Sequence, residues 1–104
     1  MAKPKRARTE RREAARAGTK LAADRERLFQ REEGGNAARP IDVDSAAVIE
    51  ARAEGIPCPR CEGEQQVLEH LAVTVSGQRL REVRLQCRRC GSKRSMWFRI
   101  ALPN

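Results

Sequence analysis

The chain has 104 residues, a formal net charge of +8 and few aromatic residues, with 2 Phe, 1 Trp and no Tyr. This composition excludes a large globular core and a walled pocket, so we expect one small domain with no enzymatic activity and no small-molecule substrate. The sequence lacks a long apolar run and an apolar secretory signal, which predicts a cytoplasmic protein without a membrane partner.

Residues 1–40 are predicted to form a basic arm rich in Ala, Arg and Glu. The opening MAKPKRAR resembles segments that stay disordered and bind polyanions. A helix is predicted over about residues 9–33, with Thr9 as the candidate N-cap and the following Gly-Gly-Asn as the stop. Leu21 and Leu28 share a face but lack the neighbours of a core stripe. We therefore expect a solvated helix, or one that forms fully only on binding.

Residues 41–56 carry a net charge of −3 and are predicted to form a short capped helix. Asp44 or Ser45 caps its start, Gly55 supplies a left-handed C-cap, and Pro57 prevents its continuation. The same capping role explains why Asp42 and Asp44 lie close together. An apolar face can pack this helix on the following domain through Val48, Ile49, Ala53 and Ile56.

Three strands are predicted after residue 57, because β-branched and aliphatic residues dominate segments 66–75, 79–86 and 95–102. The Ser76-Gly77 pair between the first two segments suits a two-residue hairpin turn. This turn places Glu69 opposite Arg84 and Val73 opposite Leu80, with an uncertainty of a residue or two. The predicted fold of residues 57–104 is therefore a three-stranded antiparallel sheet.

All 4 cysteines lie in this segment, in two C-x-x-C pairs separated by 25 residues. The pairs are Cys58 with Cys61 and Cys87 with Cys90. Such pairs fold into knuckles that together complete a closed tetrahedral site, which predicts one structural Zn²⁺ ion and explains how so small a core stays folded. Iron in the same tetrahedron, two disulfides and a redox C-x-x-C remain as alternatives. Since the cysteines saturate the metal, His70 is predicted to be a half-exposed strand residue.

The knuckles, the hairpin between them and the sequence CRRCGSKRSMWFRI resemble zinc-ribbon domains, particularly those of transcription and RNA-polymerase-associated proteins. The resemblance covers about residues 57–102. It implies a zinc-ribbon fold with the four cysteines as ligands, and contact with nucleic acid or with a large assembly. Transcript-cleaving ribbons carry an acidic pair at the hairpin tip, whereas residues 75–80 read VSGQRL. That activity is therefore not implied here.

Basic residues are the remaining signal, and Arg outnumbers Lys by 18 to 4. The planar guanidinium suits phosphate contacts, so RNA or DNA is the predicted partner. The chain is accordingly predicted to be a transcription- or translation-associated protein. Trp97 is weighed both as a stacking surface and as a cover for the thin sheet. An adaptor subunit of a complex such as a polymerase or ribosome, docking through the ribbon and the N-terminal helix, is the alternative. The candidate nucleic-acid contacts are Lys3, Lys5, Arg6, Arg8, Arg79, Arg81, Arg88, Arg89, Lys93, Arg94 and Trp97.

Overall fold

The computed structural model describes residues 6–101, which form two helices and four strands. The elements in chain order are α1 (Ala7–Arg31), β1 (Ile41–Val43), a 3₁₀ turn (Ala46–Val48), α2 (Ile49–Glu54), β2 (Gln65–Val75), β3 (Gln78–Cys87) and β4 (Lys93–Ile100). The predicted contacts Lys3 and Lys5 lie outside the described residues.

The sheet has four strands in the order β1-β4-β3-β2 and is mixed, so the predicted three-stranded antiparallel sheet is wrong in strand number and type. The additional strand β1 lies parallel to β4, with Ile41 opposite Phe98 and Val43 opposite Ile100. Both β1 side chains are buried, because alternation of β-branched residues around Asp42 directs them to the same face. The segment predicted as the start of a helix therefore closes the edge of the sheet.

The capping roles predicted for residues 41–56 also change. Asp42 lies in β1 and accepts two hydrogen bonds from Arg99 of β4, at 2.7 and 3.0 Å. These hydrogen bonds and the adjacent positive charge lower the pKa of the Asp42 carboxyl. Ser45 precedes the 3₁₀ turn without capping it through its side chain, and Gly55 ends α2 at a φ of −73°, which is not left-handed.

The β2-β3 hairpin has the predicted register, with Glu69 opposite Arg84 and Val73 opposite Leu80. Its turn residues Ser76 and Gly77 have φ values of 50° and 80°. Two consecutive positive φ angles match the right-handed twist of paired strands, so this turn fixes the register. The pairing is interrupted only near the cysteine end, where the register shifts between Val67 and Glu69.

The core lies on one face of the sheet and is covered by α2 and by the last turns of α1. Ile49 and Ala53 of α2 are fully buried against Val83, Met96 and Phe98. Ile56 packs at the edge of this cluster, as predicted, whereas Val48 is 43% exposed. Since α2 covers this face, the sheet can bury a small core although the chain has few large apolar residues.

Among residues 6–101, helix α1 becomes buried against the rest of the molecule near its C-terminal end. Phe29 joins the core, whereas Leu21 and Leu28 are 51% and 59% exposed, as expected for a solvated helix. Gly35 lies against the C-terminal end of the helix. A Cβ atom at this position would lie 1.9 Å from the carbonyl oxygen of Phe29, so the close approach requires glycine. The Gly34 carbonyl accepts the backbone N–H of Trp97 at 2.9 Å, which connects the end of α1 to β4.

Candidate metal centre

The four cysteine sulfurs form one cluster in which all atoms lie within 4.8 Å of one another. Two short distances join the knuckles, with 3.7 Å between the sulfurs of Cys58 and Cys90 and 3.4 Å between those of Cys61 and Cys87. A tetrahedral ion with bonds of about 2.3 Å separates sulfurs by about 3.8 Å, whereas a disulfide requires about 2.05 Å. The four thiols are free and can hold one metal ion.

The two knuckles have the same backbone design. In each, the first cysteine donates its N–H to a carbonyl five residues later, and its carbonyl accepts an N–H from the residue four positions on. The distances are 2.9 Å (Cys58 to Gly63), 2.8 Å (Glu62 to Cys58), 2.9 Å (Cys87 to Ser92) and 3.0 Å (Gly91 to Cys87). The residue four positions after the first cysteine has a positive φ in both knuckles, 64° at Glu62 and 76° at Gly91. Glu62 and Gly91 therefore occupy equivalent positions in the two knuckles.

A matched pair of substitutions tests this equivalence. Glu62→Gly is expected to stabilise the metal-loaded protein by about 1 kcal/mol, because glycine removes left-handed strain but adds entropy to the unfolded chain. Gly91→Ala is expected to destabilise it by about 1 kcal/mol through the backbone alone, since a Cβ atom there has no neighbour within 4 Å. Urea unfolding measures both effects, with Glu62→Ala as the control that should gain nothing. Equal stabilities for all three variants would contradict the interpretation.

Hydrogen bonds surround the sulfurs of the second knuckle and prepare them for a cation. The backbone N–H groups of Arg89 and Cys90 point to the Cys87 sulfur at 3.3 and 3.4 Å. The Ser92 hydroxyl lies 3.0 Å from the Cys90 sulfur and 3.5 Å from that of Cys58. Hydrogen bonds from the side chain and backbone of Ser92 lower the pKa of the Cys90 thiol to about 6. This environment favours thiolate, the form that binds metal, at Cys90. At Cys61, a backbone hydrogen bond from Gly63 is outweighed by burial and by hydrogen bonds with the neighbouring thiols, which raise the pKa to about 11.

Behind Ser92 lies Arg94, which was predicted to contact nucleic acid but is only 9% exposed. Its guanidinium donates to the Ser92 hydroxyl at 2.7 Å, to the Gln65 side-chain carbonyl, and to the Glu26 carboxylate of α1 at 3.2 and 3.3 Å. Gln65 in turn donates to the Ile56 carbonyl at 2.9 Å. Arg94 is thus removed from the candidate surface, because it connects the cysteine cluster to α1.

The alternation of buried and more exposed residues along β4 could have predicted that Arg94 is buried. Met96 and Phe98 share the buried face, and Arg94 occupies the same face two residues earlier. No comparable signal identifies Glu26, which lies in a helix where charged residues occur on all sides. Its partner is 68 positions away in the sequence, so only the folded chain brings them together.

The other predicted contacts fall into separate groups. Arg88 and Arg89 are exposed on the second knuckle and Lys93 is exposed at the start of β4, whereas Arg79 and Arg81 lie near the hairpin turn at the far end of β3. About eight residues of strand, or roughly 26 Å, separate the two groups. Trp97 is half-buried. The remaining two predicted contacts, Arg6 and Arg8, are exposed at the start of α1.

His70 lies in the middle of β2, opposite Val83, and is half-buried. Its Nε2 atom is buried without a hydrogen-bond partner among the described residues. It does not belong to the cysteine cluster.

Comparison of the chain with protein-family models, curated proteins and solved structures finds no match. Among residues 6–101, no helix combines the length and apolar character needed to cross a membrane. The molecule is a small domain with a four-stranded mixed sheet, helices and a zinc-ribbon-like cysteine cluster compatible with metal binding.

Proposed function

We propose that this protein is a non-enzymatic nucleic-acid-binding protein in which one structural Zn²⁺ ion holds a ribbon-like domain. Four thiolate donors in a closed cluster suit zinc and leave no coordination position for a substrate. The ion would be held by Cys58, Cys61, Cys87 and Cys90 and would stabilise the folded domain. Exposed arginines and lysines outside that cluster would contact phosphates.

The distribution of ion pairs over the strands carries this proposal. All three acidic strand residues, Asp42, Glu69 and Glu82, pair with Arg84 or Arg99. Among the described residues, the strand cations Arg79, Arg81 and Lys93 form no salt bridge. The sheet therefore presents uncompensated positive charge, which favours a polyanionic partner over a self-paired surface.

Binding of labelled RNA and DNA, measured by fluorescence anisotropy, tests the proposal. Affinity is expected to fall at least about tenfold between about 50 and 200 mM salt, because phosphate contacts release counterions. The variant Arg79→Gln/Arg81→Gln should bind more weakly than Arg84→Gln/Arg99→Gln, which removes the same charge from existing ion pairs. Absence of micromolar binding at about 50 mM salt, or affinity independent of salt, would contradict the proposal.

The alternative adaptor function has one observation in its favour. The sheet face opposite α2 presents Leu71 and Val73 only half-buried, and Leu68, at the irregularity in β2, is 44% exposed. Apolar side chains in such positions suit contact with another protein. A pull-down whose protein partners survive nuclease treatment would favour the adaptor. Loss of every partner on nuclease addition would support nucleic-acid binding.

A further inference from the structure

We propose that the projecting half of α1, residues 7–20, is a recognition element that lies in the major groove of double-stranded DNA. Its contacts would come from a basic ridge, defined as Arg8, Arg12, Arg16 and Lys20. This inference rests on the proposed nucleic-acid-binding function and adds to it the element that makes the contact and the form of nucleic acid.

The shape of the molecule shows that α1 extends away from the domain. The molecule measures 70 × 25 × 19 Å, with a radius of gyration of 18.2 Å. A compact chain of this length has a radius of gyration of about 13 Å. All residues from 7 to 21 are exposed, and burial along α1 begins only in its last three turns. At about 1.5 Å per residue, residues 7–20 form a rod about 21 Å long that is accessible from every side.

The ridge residues follow one another at intervals of four, so they lie side by side along one face of the helix. Like charges at this spacing repel, and none of the four forms a salt bridge with another described residue. The opposite face carries Ala14, Ala17 and Leu21 instead. A partner with closely spaced negative charges would relieve the repulsion along the ridge.

Double-stranded DNA fits this rod better than other polyanions. An α-helix with side chains is about 10–12 Å wide and the major groove of B-DNA is about 12 Å wide, whereas the major groove of A-form RNA is too narrow to admit a helix. The ridge spans about 18 Å, so its cations reach several phosphates along the groove. An anionic membrane is a poorer partner, because the face opposite the ridge also contains Glu10 and lacks large aromatic residues.

The base of α1 is held at defined points. Phe29 is buried in the core, and Glu26 pairs with Arg94 beside the cysteine cluster. Beyond Arg31, the Arg39 guanidinium donates to the Arg31 carbonyl at 2.6 Å and so satisfies the end of the helix. A helix anchored at one end and free at the other can enter a groove while the ribbon remains at its rim.

Three variants of the full zinc-loaded chain test the inference. The ridge variant replaces Arg8, Arg12, Arg16 and Lys20 with Gln. The ribbon variant, which removes the same charge, replaces Arg79, Arg81, Arg88 and Lys93 with Gln. The relocated variant keeps composition and net charge but moves two arginines across the helix, through Arg12→Ala, Ala14→Arg, Arg16→Ala and Ala17→Arg.

Affinities are measured for a DNA duplex, an RNA duplex and anionic vesicles, and circular dichroism checks that each variant remains helical. Wild-type protein should prefer the DNA duplex over the RNA duplex at least about tenfold. The ridge variant should bind DNA at least about 30-fold more weakly and lose about 3 to 4 from the salt slope. The relocated variant should lose about tenfold despite its unchanged charge, and the ribbon variant should lose less than the ridge variant.

The outcomes separate this inference from the function on which it rests. Failure of the wild-type protein to bind either nucleic acid would overturn both proposals. Binding that is lost in the ribbon variant but retained in the ridge and relocated variants would overturn only the role of α1. Equal affinity for the two duplexes, or ridge-dependent binding to vesicles alone, would overturn the assignment of double-stranded DNA.

Discussion

Removal of the proposed zinc ion is expected to unfold the sheet of this protein. Zinc bound by four thiolates contributes on the order of 10 kcal/mol to the folding of a small domain. Cys58 and Cys87 each begin a knuckle, and both are buried at 1% and 2% exposure. Loss of the ion would leave buried thiolates facing one another with no cation between them. The chain has little else to replace that free energy, because its core is a single thin layer between α2 and the sheet.

Circular dichroism and the fluorescence of Trp97 measure this effect during titration with a zinc chelator. Elemental analysis should find one zinc ion per chain before chelation, and addition of excess zinc should restore the signals. Cys87→Ser should give the unfolded signals even with zinc present. A metal-free protein that keeps its sheet, or one in which the cysteines form disulfides, would contradict the role of the ion.

Helix α1 provides an internal reference in the same experiment. In the part of the chain that the structure describes, every residue of its first half is exposed, so its helical signal should depend on local preferences more than on the core. We therefore expect the strand signal to be lost completely on chelation and the helical signal only partly. Loss of both signals in one transition would instead show that α1 requires its anchored end.

Local spacing in the sequence predicts two features of the structure. The C-x-x-C pairs identify the cysteine cluster because two intervening residues bring both sulfurs to one point. The Ser76-Gly77 turn predicts the β2-β3 register, since a two-residue loop with positive φ angles fixes which residues face each other. Both predictions depend on neighbours within a few positions.

Features that depend on distant partners could not be predicted in the same way. The segment Ile41–Val43 is too short for its sequence pattern to predict a strand. It forms one because β4, 57 residues later in the chain, has a free edge with which it can pair. Asp42 is a residue type that often caps helices, but in the structure its side chain pairs with Arg99. Glu26 and Arg94 resemble surface charges until the end of α1 reaches the cysteine cluster. In each case the decisive contact joins segments with no sequence pattern in common.

The second large effect is expected from the buried pair between Glu26 and Arg94. Their side chains are 12% and 3% exposed, and Arg94 also supports Ser92 beside the sulfurs. Arg94→Met would leave the Glu26 carboxylate buried without its close cation, since the next cation, Arg60, lies 4.0 Å away. Loss of one partner from a buried pair costs about 3–5 kcal/mol. We expect a loss of this size, smaller to the extent that Arg60 moves closer.

The exposed pair between Arg99 and Asp42 is the matched control, because its side chains are 41% and 50% exposed. Arg99→Met should cost far less stability than Arg94→Met. The double variant Glu26→Leu/Arg94→Met should recover most of the loss, since two apolar side chains leave no buried charge. Urea unfolding of the zinc-loaded proteins gives these free energies. Equal losses for Arg94→Met and Arg99→Met would show that the buried pair does not anchor α1.

Zinc affinity distinguishes an anchor for the helix from a support for the metal. Arg94 donates to Ser92, and Ser92 contacts the sulfurs of Cys58 and Cys90, so Arg94→Met should weaken zinc binding as well as stability. Partners of metal ligands typically change metal affinity by about 10- to 100-fold. Glu26→Gln leaves Arg94 and Ser92 in place and should weaken zinc binding less. Competition with a chromogenic chelator measures both variants, and an equal effect would mean that the position of α1 itself controls the metal site.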